Sequence, residues 1–136
     1  MRVAEGLVDQ VFEAFLTVIP STVAVTRDRN GLIAEAVGDV ESGAGIATIG
    51  YRGLRLPPLP LSQRKRTELA LRGFIVTLVM LISEALDEPW PTDSKCIVKV
   101  SDGRTHAIQI WFGASDYARA DTRLPVVEWS APLTAL

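Results

Sequence analysis

The sequence predicts an α+β domain: an antiparallel sheet of five to six strands packed against two helices, in the order α-β-β-β-α-β-β-β. Three observations carry this. The chain opens with apolar residues at three- and four-residue spacing. A long helix-forming stretch occupies its middle. Two runs of β-branched and aromatic residues are each split by an Asn-Gly or Asp-Gly pair, a hairpin signal. A length of 136 residues suits one domain over 1–136 with one core. Composition, 48% hydrophobic and 22% charged, is that of a folded chain and not a disordered one.

The first helix is expected from Val3 to Leu16 or Ile19. Val3, Leu7, Val8, Val11, Phe12, Phe15 and Ile19 share one face, Glu5, Asp9, Glu13 and Thr17 lie off it, and Pro20 ends it. The same acidic positions break any signal-peptide core there. A hairpin follows, with Thr22–Arg27 and Leu32–Val37 joined at Asn30-Gly31. The glycine-rich stretch Gly38–Gly45 reads as a loop, and a third strand runs from Ile46 to Leu56, where Gly50 and Gly53 suggest a bulge or a close backbone approach. Pro57-Pro58-Leu59-Pro60 is a stiff spacer, and Ser62 a cap for the second helix.

That helix, Ser62–Leu86, is the most informative segment. Between Gly73 and Ile82 only Thr77 is polar, so the helix needs cover on both sides, from its own domain or from another chain. The apolar run is too short for a membrane span, which takes about 20 apolar residues. Its charges oppose the macrodipole: Arg64, Lys65 and Arg66 lie at the positive end, Glu84, Asp87 and Glu88 at the negative end. Two copies packed antiparallel would bring these clusters together, because they lie about 30 Å apart at 1.5 Å per residue.

Beyond Pro89-Trp90-Pro91 comes the clearest hairpin, Lys95–Val100 and Thr105–Phe112 around Ser101-Asp102-Gly103-Arg104. A polar loop, Ala114–Arg123, leads to a last strand at Val126–Trp129. The tail beyond Pro132 is expected to fray or dock on a neighbour. The helix–hairpin pattern occurs twice, in 1–56 and 60–130, which suggests two pseudo-repeated halves; Val23–Gly38 and Ile97–Gly113 match in pattern more than in identity.

Catalytic signals are weak. Cys96 and His106 are each unique, and would form a nucleophile–base pair only within hydrogen-bond reach. A two-residue Asp102-Gly103 turn would set Lys99 opposite His106 and Cys96 opposite Gln109. Cys96 would then share a face with Val98, Val100, Ala107 and Trp111, and His106 would point to the other. One cysteine leaves no internal disulfide. No spacing among Asp39-x-Glu41, Asp87-Glu88 or Asp116 and Asp121 matches a calcium loop, and the glycines of 38–53 match no phosphate loop, so no metal or cofactor is expected.

From Tyr51 to Arg72 six basic residues face one acid, a local balance of +5 within a chain of net charge −2. Phosphate binding could use such a cluster, but the overall negative charge and the missing module signature make nucleic acid the weaker reading. The arginine- and alanine-rich composition is compatible with a GC-rich bacterial genome. The reading that uses most features is a small, non-catalytic, cytoplasmic protein that self-associates as a homodimer and binds a cognate protein partner. It would be of the inhibitor or immunity type, or a chaperone for a secreted substrate. The order of elements is similar to that of dimeric secretion chaperones, a likeness of topology alone. Expected contact residues are Arg64, Lys65, Arg66, Glu84, Asp87, Glu88, Trp90 and Trp111, the tryptophans as hot spots. The alternative is a small enzyme or ligand-binding domain. Its pocket would lie between the sheet and the Gly38–Gly45 loop, using Tyr51, Arg52, Asp102, His106 or Asp116.

Overall fold

The computed structural model describes residues 1–28, 30–37, 45–91 and 95–135. Most of the Gly38–Gly45 loop, and with it Asp39 and Glu41, lies outside the described residues. The elements are β1 (Arg2–Val3), α1 (Glu5–Leu16), β2 (Val23–Arg27), β3 (Gly31–Ala36), β4 (Ile46–Gly50), α2 (Gln63–Leu86), β5 (Cys96–Val100), β6 (His106–Phe112), a 3-10 turn (Tyr117–Arg119), β7 (Thr122–Arg123), β8 (Val127–Trp129) and β9 (Thr134–Ala135). The class is the α+β one that the sequence predicts. The strands are divided differently: not one sheet but three antiparallel ones, β1-β9, β2-β3-β4, and β5-β6 with β7 and β8 both paired to β6.

Helix α2 organises the molecule, because it packs against β2, β3 and β4 on one side and against β5 on the other. Its inner face, with Leu71, Phe74, Ile75, Leu78, Leu81 and Ile82, meets Leu32, Ala34 and Ala47 of the first large sheet and Val98, Val100, Ile108, Ile110 and Phe112 of the second in one core. Phe15, Leu7, Val8 and Val11 of α1 complete that core. Ser62 caps α2 as expected, its hydroxyl accepting from the Lys65 amide at 3.2 Å. Asp87 closes the helix in the left-handed conformation, φ 55°.

The first hairpin differs from the sequence reading in its turn residues, and the second in its register. In the first, Gly31 is not a turn residue but the first residue of β3, opposite Gly50. A side chain there would collide with the backbone, since a Cβ on Gly31 would lie 2.1 Å from the Ile49 carbonyl oxygen. Asp28 makes the turn instead, accepting from the Asn30 and Gly31 amides at 2.7 and 2.9 Å. In the second hairpin, Asp102-Gly103 is not a two-residue turn but part of the longer connection Ser101–Thr105. The tight turn needs positive φ at both central residues, and only Gly103 of the pair has it. Cys96 therefore lies opposite Phe112, and Lys99 opposite Gln109. The inward face carries Cys96, Val98, Val100, Ile108, Ile110 and Phe112.

Three further boundaries move. The first helix starts at Glu5, because Arg2–Val3 is extended and pairs with the C-terminal β9. The third strand ends at Gly50 and not Leu56. The chain then turns at Gly53, φ 94°, and runs beside β1, with Val3 N–H donating to the Leu54 carbonyl at 2.8 Å and Leu56 N–H to that of Met1 at 3.1 Å. As far as Ala135 the tail neither frays nor needs a neighbour, because Thr134 and Ala135 pair with β1. Leu133 is buried, its carbonyl accepts from the Ala4 amide at 2.9 Å, and Trp129 Nε1 donates to the Pro132 carbonyl at 3.0 Å.

Candidate protein-binding surface

The inner and outer faces of α2 contrast sharply. Outward lie Leu69, 39% exposed, and Met80, 65% exposed, with half-buried Val76 and Thr77 and open Gly73 between them. The unstriped sequence of the helix calls for cover on both sides, from the domain or from another chain, and the domain leaves this face open. Thr77 does not make it polar. Its hydroxyl donates to the Gly73 carbonyl at 2.9 Å and so is satisfied within the helix.

Beside this face the core stays open. The turn of Leu69, Gly73, Phe74 and Thr77, the end of β4 at Ile49, and the segment Tyr51–Leu59 enclose a cleft of about 690 Å³. Ile49 belongs to the inward-facing set of β4 with buried Ala47, yet it is 45% exposed because α2 does not reach over it. Leu59, also 45% exposed, forms the opposite wall with Pro57 and Pro58. Cleft and helix face together form one apolar surface, the kind that marks an interaction site.

The charged contact residues expected from sequence have diverse fates. Arg64 is used internally: Nη1 donates to the Val100 carbonyl at 3.0 Å, and its guanidinium pairs with Asp102 at 3.1 Å and Glu68 at 3.6 Å. Glu68, buried, accepts from the Val100 amide at 2.9 Å and meets Lys65 at 3.5 Å. The basic cluster at the helix N-terminus is thus partly neutralised by a carboxylate one turn on. Lys65 remains half-exposed, and the Arg66 Nε is buried without a hydrogen-bond partner. Glu84, Asp87 and Glu88 are exposed, and none has a salt bridge among the described residues.

The tryptophans belong to the fold and not to the surface. Trp111 is 3% exposed, donates from Nε1 to the Ala114 carbonyl at 2.9 Å and sits edge-on to Tyr117. Trp90 packs edge-on to Phe15, and its backbone is held by the Ser83 hydroxyl. The surface instead uses Leu69, Gly73, Met80, Ile49 and Leu59, which the sequence reading did not single out. Its one available signal was the lack of polar residues at 69, 73, 76 and 80, one helical face.

The residues of the enzymatic alternative do not converge. Tyr51 and Arg52 line a polar cavity of about 790 Å³ with Arg2, Glu5, Arg27, Asp28 and Asn30. Asp102 is beside Arg64, Asp116 caps the 3-10 turn, and His106 faces the Ser101 carbonyl at 2.7 Å. Within the polar cavity, Arg27 lies against the rings of Phe12 and Tyr51 and is paired with Glu5 and Asp9. Burial, reinforced by Glu5 and opposed by Arg27, raises the Tyr51 hydroxyl above its usual range. Cys96 and His106 prove to share strand parity, but Phe112, opposite Cys96, is six residues along β6 from His106. That separation is roughly 20 Å, far outside reach. Burial, slightly offset by Arg72, pushes the Cys96 thiol up to about 11, so it is a core residue and a poor nucleophile. Among the described residues no three His, Cys, Asp or Glu side chains gather as metal ligands.

Comparison with known proteins finds no matching family model, no similar curated protein and no similar solved structure.

Proposed function

We propose that this chain is a non-catalytic cytoplasmic protein that binds a cognate protein, as an inhibitor of the immunity type or a chaperone for a secreted substrate does. The observation that carries this is the continuous apolar surface formed by the outer face of α2 and the adjoining cleft. Such a surface costs solubility unless something covers it, and its charged ends suit a protein more than a lipid. Although its apolar centre is short, the whole of α2 is long and apolar enough by composition to cross a membrane. Its inner face nonetheless carries the core of both large sheets, so moving it into a bilayer would unfold the domain. A nucleic-acid role has less support, since Arg64 and Lys65 both turn to Glu68, Arg64 also to Asp102, and Arg52 lies apart in the polar cavity.

A photo-crosslinking residue at Met80, expressed in the source cell, tests the reading. A specific protein adduct that disappears when the crosslinker is moved to exposed Glu35 on the far sheet is the expected result. Absence of any protein adduct at Met80, Leu69 and Ile49 would overturn it.

A further inference from the structure

We propose that the outer face of α2 is occupied by the α2 of a second copy of this chain, packed antiparallel about a two-fold axis between Gly73 and Val76. This rests on the protein-binding reading and names the first occupant of that surface. Three independent observations point to it.

The first is charge. The outer face begins at Lys65 and Arg66 and ends at Glu84 and Asp87, with no charge but Arg72 between. Antiparallel pairing that sets Gly73 opposite Val76 of the second copy also sets Leu69 opposite Met80 and Lys65 opposite Glu84. Parallel pairing would instead oppose like charges at both ends. The antiparallel arrangement also places the negative end of one helix dipole beside the positive end of the other.

The second is Gly73. A glycine in a helix interior is poorly suited to that position, and nothing among the described residues outside the helix backbone requires it: a Cβ added at Gly73 meets no such atom within 4 Å. Gly6 of α1 is the contrasting case, since its Cβ would lie 2.9 Å from the Trp129 ring. At the proposed axis the missing side chain has a use, because it lets two helix backbones approach. The third is the pairing of the hydroxyls between the charged ends. That of Thr77 is bound to the Gly73 carbonyl and that of Ser83 to the Trp90 backbone, so apart from Arg72 the strip can be desolvated at little cost.

The test uses the full chain. Sedimentation equilibrium is expected to give a dimer, with association weakened roughly tenfold by Lys65→Glu or by Glu84→Lys and largely restored in the double exchange. The Lys65–Glu68 contact is lost in the double exchange as well, so its rescue reports the contact between chains. Oxidative crosslinking fixes direction, because the native Cys96 is buried. Leu69→Cys mixed with Met80→Cys should form a disulfide between chains, whereas Leu69→Cys alone should not, its two copies lying about 16 Å apart along the paired helices. A monomer at concentrations well above the micromolar range, a dimer indifferent to both charge exchanges, or ready Leu69→Cys self-crosslinking would each overturn the proposal. A monomer that still gives a foreign protein adduct at Met80 rejects the two-fold pairing and keeps the protein-binding reading. A dimer whose only adduct is with itself does the reverse for a cognate partner.

Discussion

The two long faces of α2 have nearly the same chemistry and opposite fates. Inward, Leu71, Phe74, Ile75, Leu78 and Ile82 are enclosed by two sheets and α1; outward, Leu69, Val76 and Met80 form a surface of similar composition without cover. Apolar character alone therefore does not say which face a domain will bury. What differs is the polar framing. The inner face is held in place by Glu68, which bonds the Val100 amide, while the outer face is bounded by charges at its ends. One face carries the fold and the other is left open to solvent.

The comparison is broken most strongly on the inner side. Ile75→Ala should destabilise the domain by about 2–5 kcal/mol, read as a lower denaturation midpoint at unchanged slope. Loss of Glu68 as Ala should cost about 1–3 kcal/mol, because the Val100 amide is left unpaired and Arg64 and Lys65 lose their counter-charge. A loss below half a kcal/mol would show that the carboxylate is not what fixes α2 against β5. Next come the two helical glycines. Gly73→Ala should raise monomer stability by about 0.8–1 kcal/mol, from helix propensity, while weakening association. Gly6→Ala, obstructed by Trp129, should instead lower stability; equal signs for the two would end the contrast between them. Smallest of all, Met80→Ser should change monomer stability by less than about 0.5 kcal/mol and yet abolish the association proposed for the outer face.

Titration gives a check on the second sheet. Cys96 keeps its proton in the folded chain up to about 11 instead of the ordinary 9.0. Above 9.0 the unfolded chain releases that proton and the folded one holds it, so stability should fall as pH rises from 9.0 to about 11. Cys96→Ala should flatten that part of the pH profile, measured by urea midpoints across the range.

Much of the fold was legible in the sequence. The α1 periodicity, the Ser62 cap, the full extent of α2 and the strand content of both hairpins follow from residue spacing and propensity, which act locally. The hairpin registers were not legible. Asn30-Gly31 and Asp102-Gly103 suit tight turns, but Gly31 is required by the Ile49 carbonyl across the sheet and Gly103 by a longer connection. Of the site, the lack of a polar stripe on α2 and the opposed charge clusters were visible beforehand, because both are properties of one helix. The inward turn of Arg64, the burial of Trp111 and the cleft at Ile49 were not.

By itself, then, the sequence determined the α+β class, the two helices and the surplus apolar face of α2, all set by neighbours within a few turns of chain. Tertiary structure decided how the strands divide into three sheets, where the termini anchor, and which face of α2 is left open. Those outcomes depend on contacts between residues distant in sequence, such as Val100 with Glu68 and Leu133 with Ala4, and no local pattern encodes which partner each will meet.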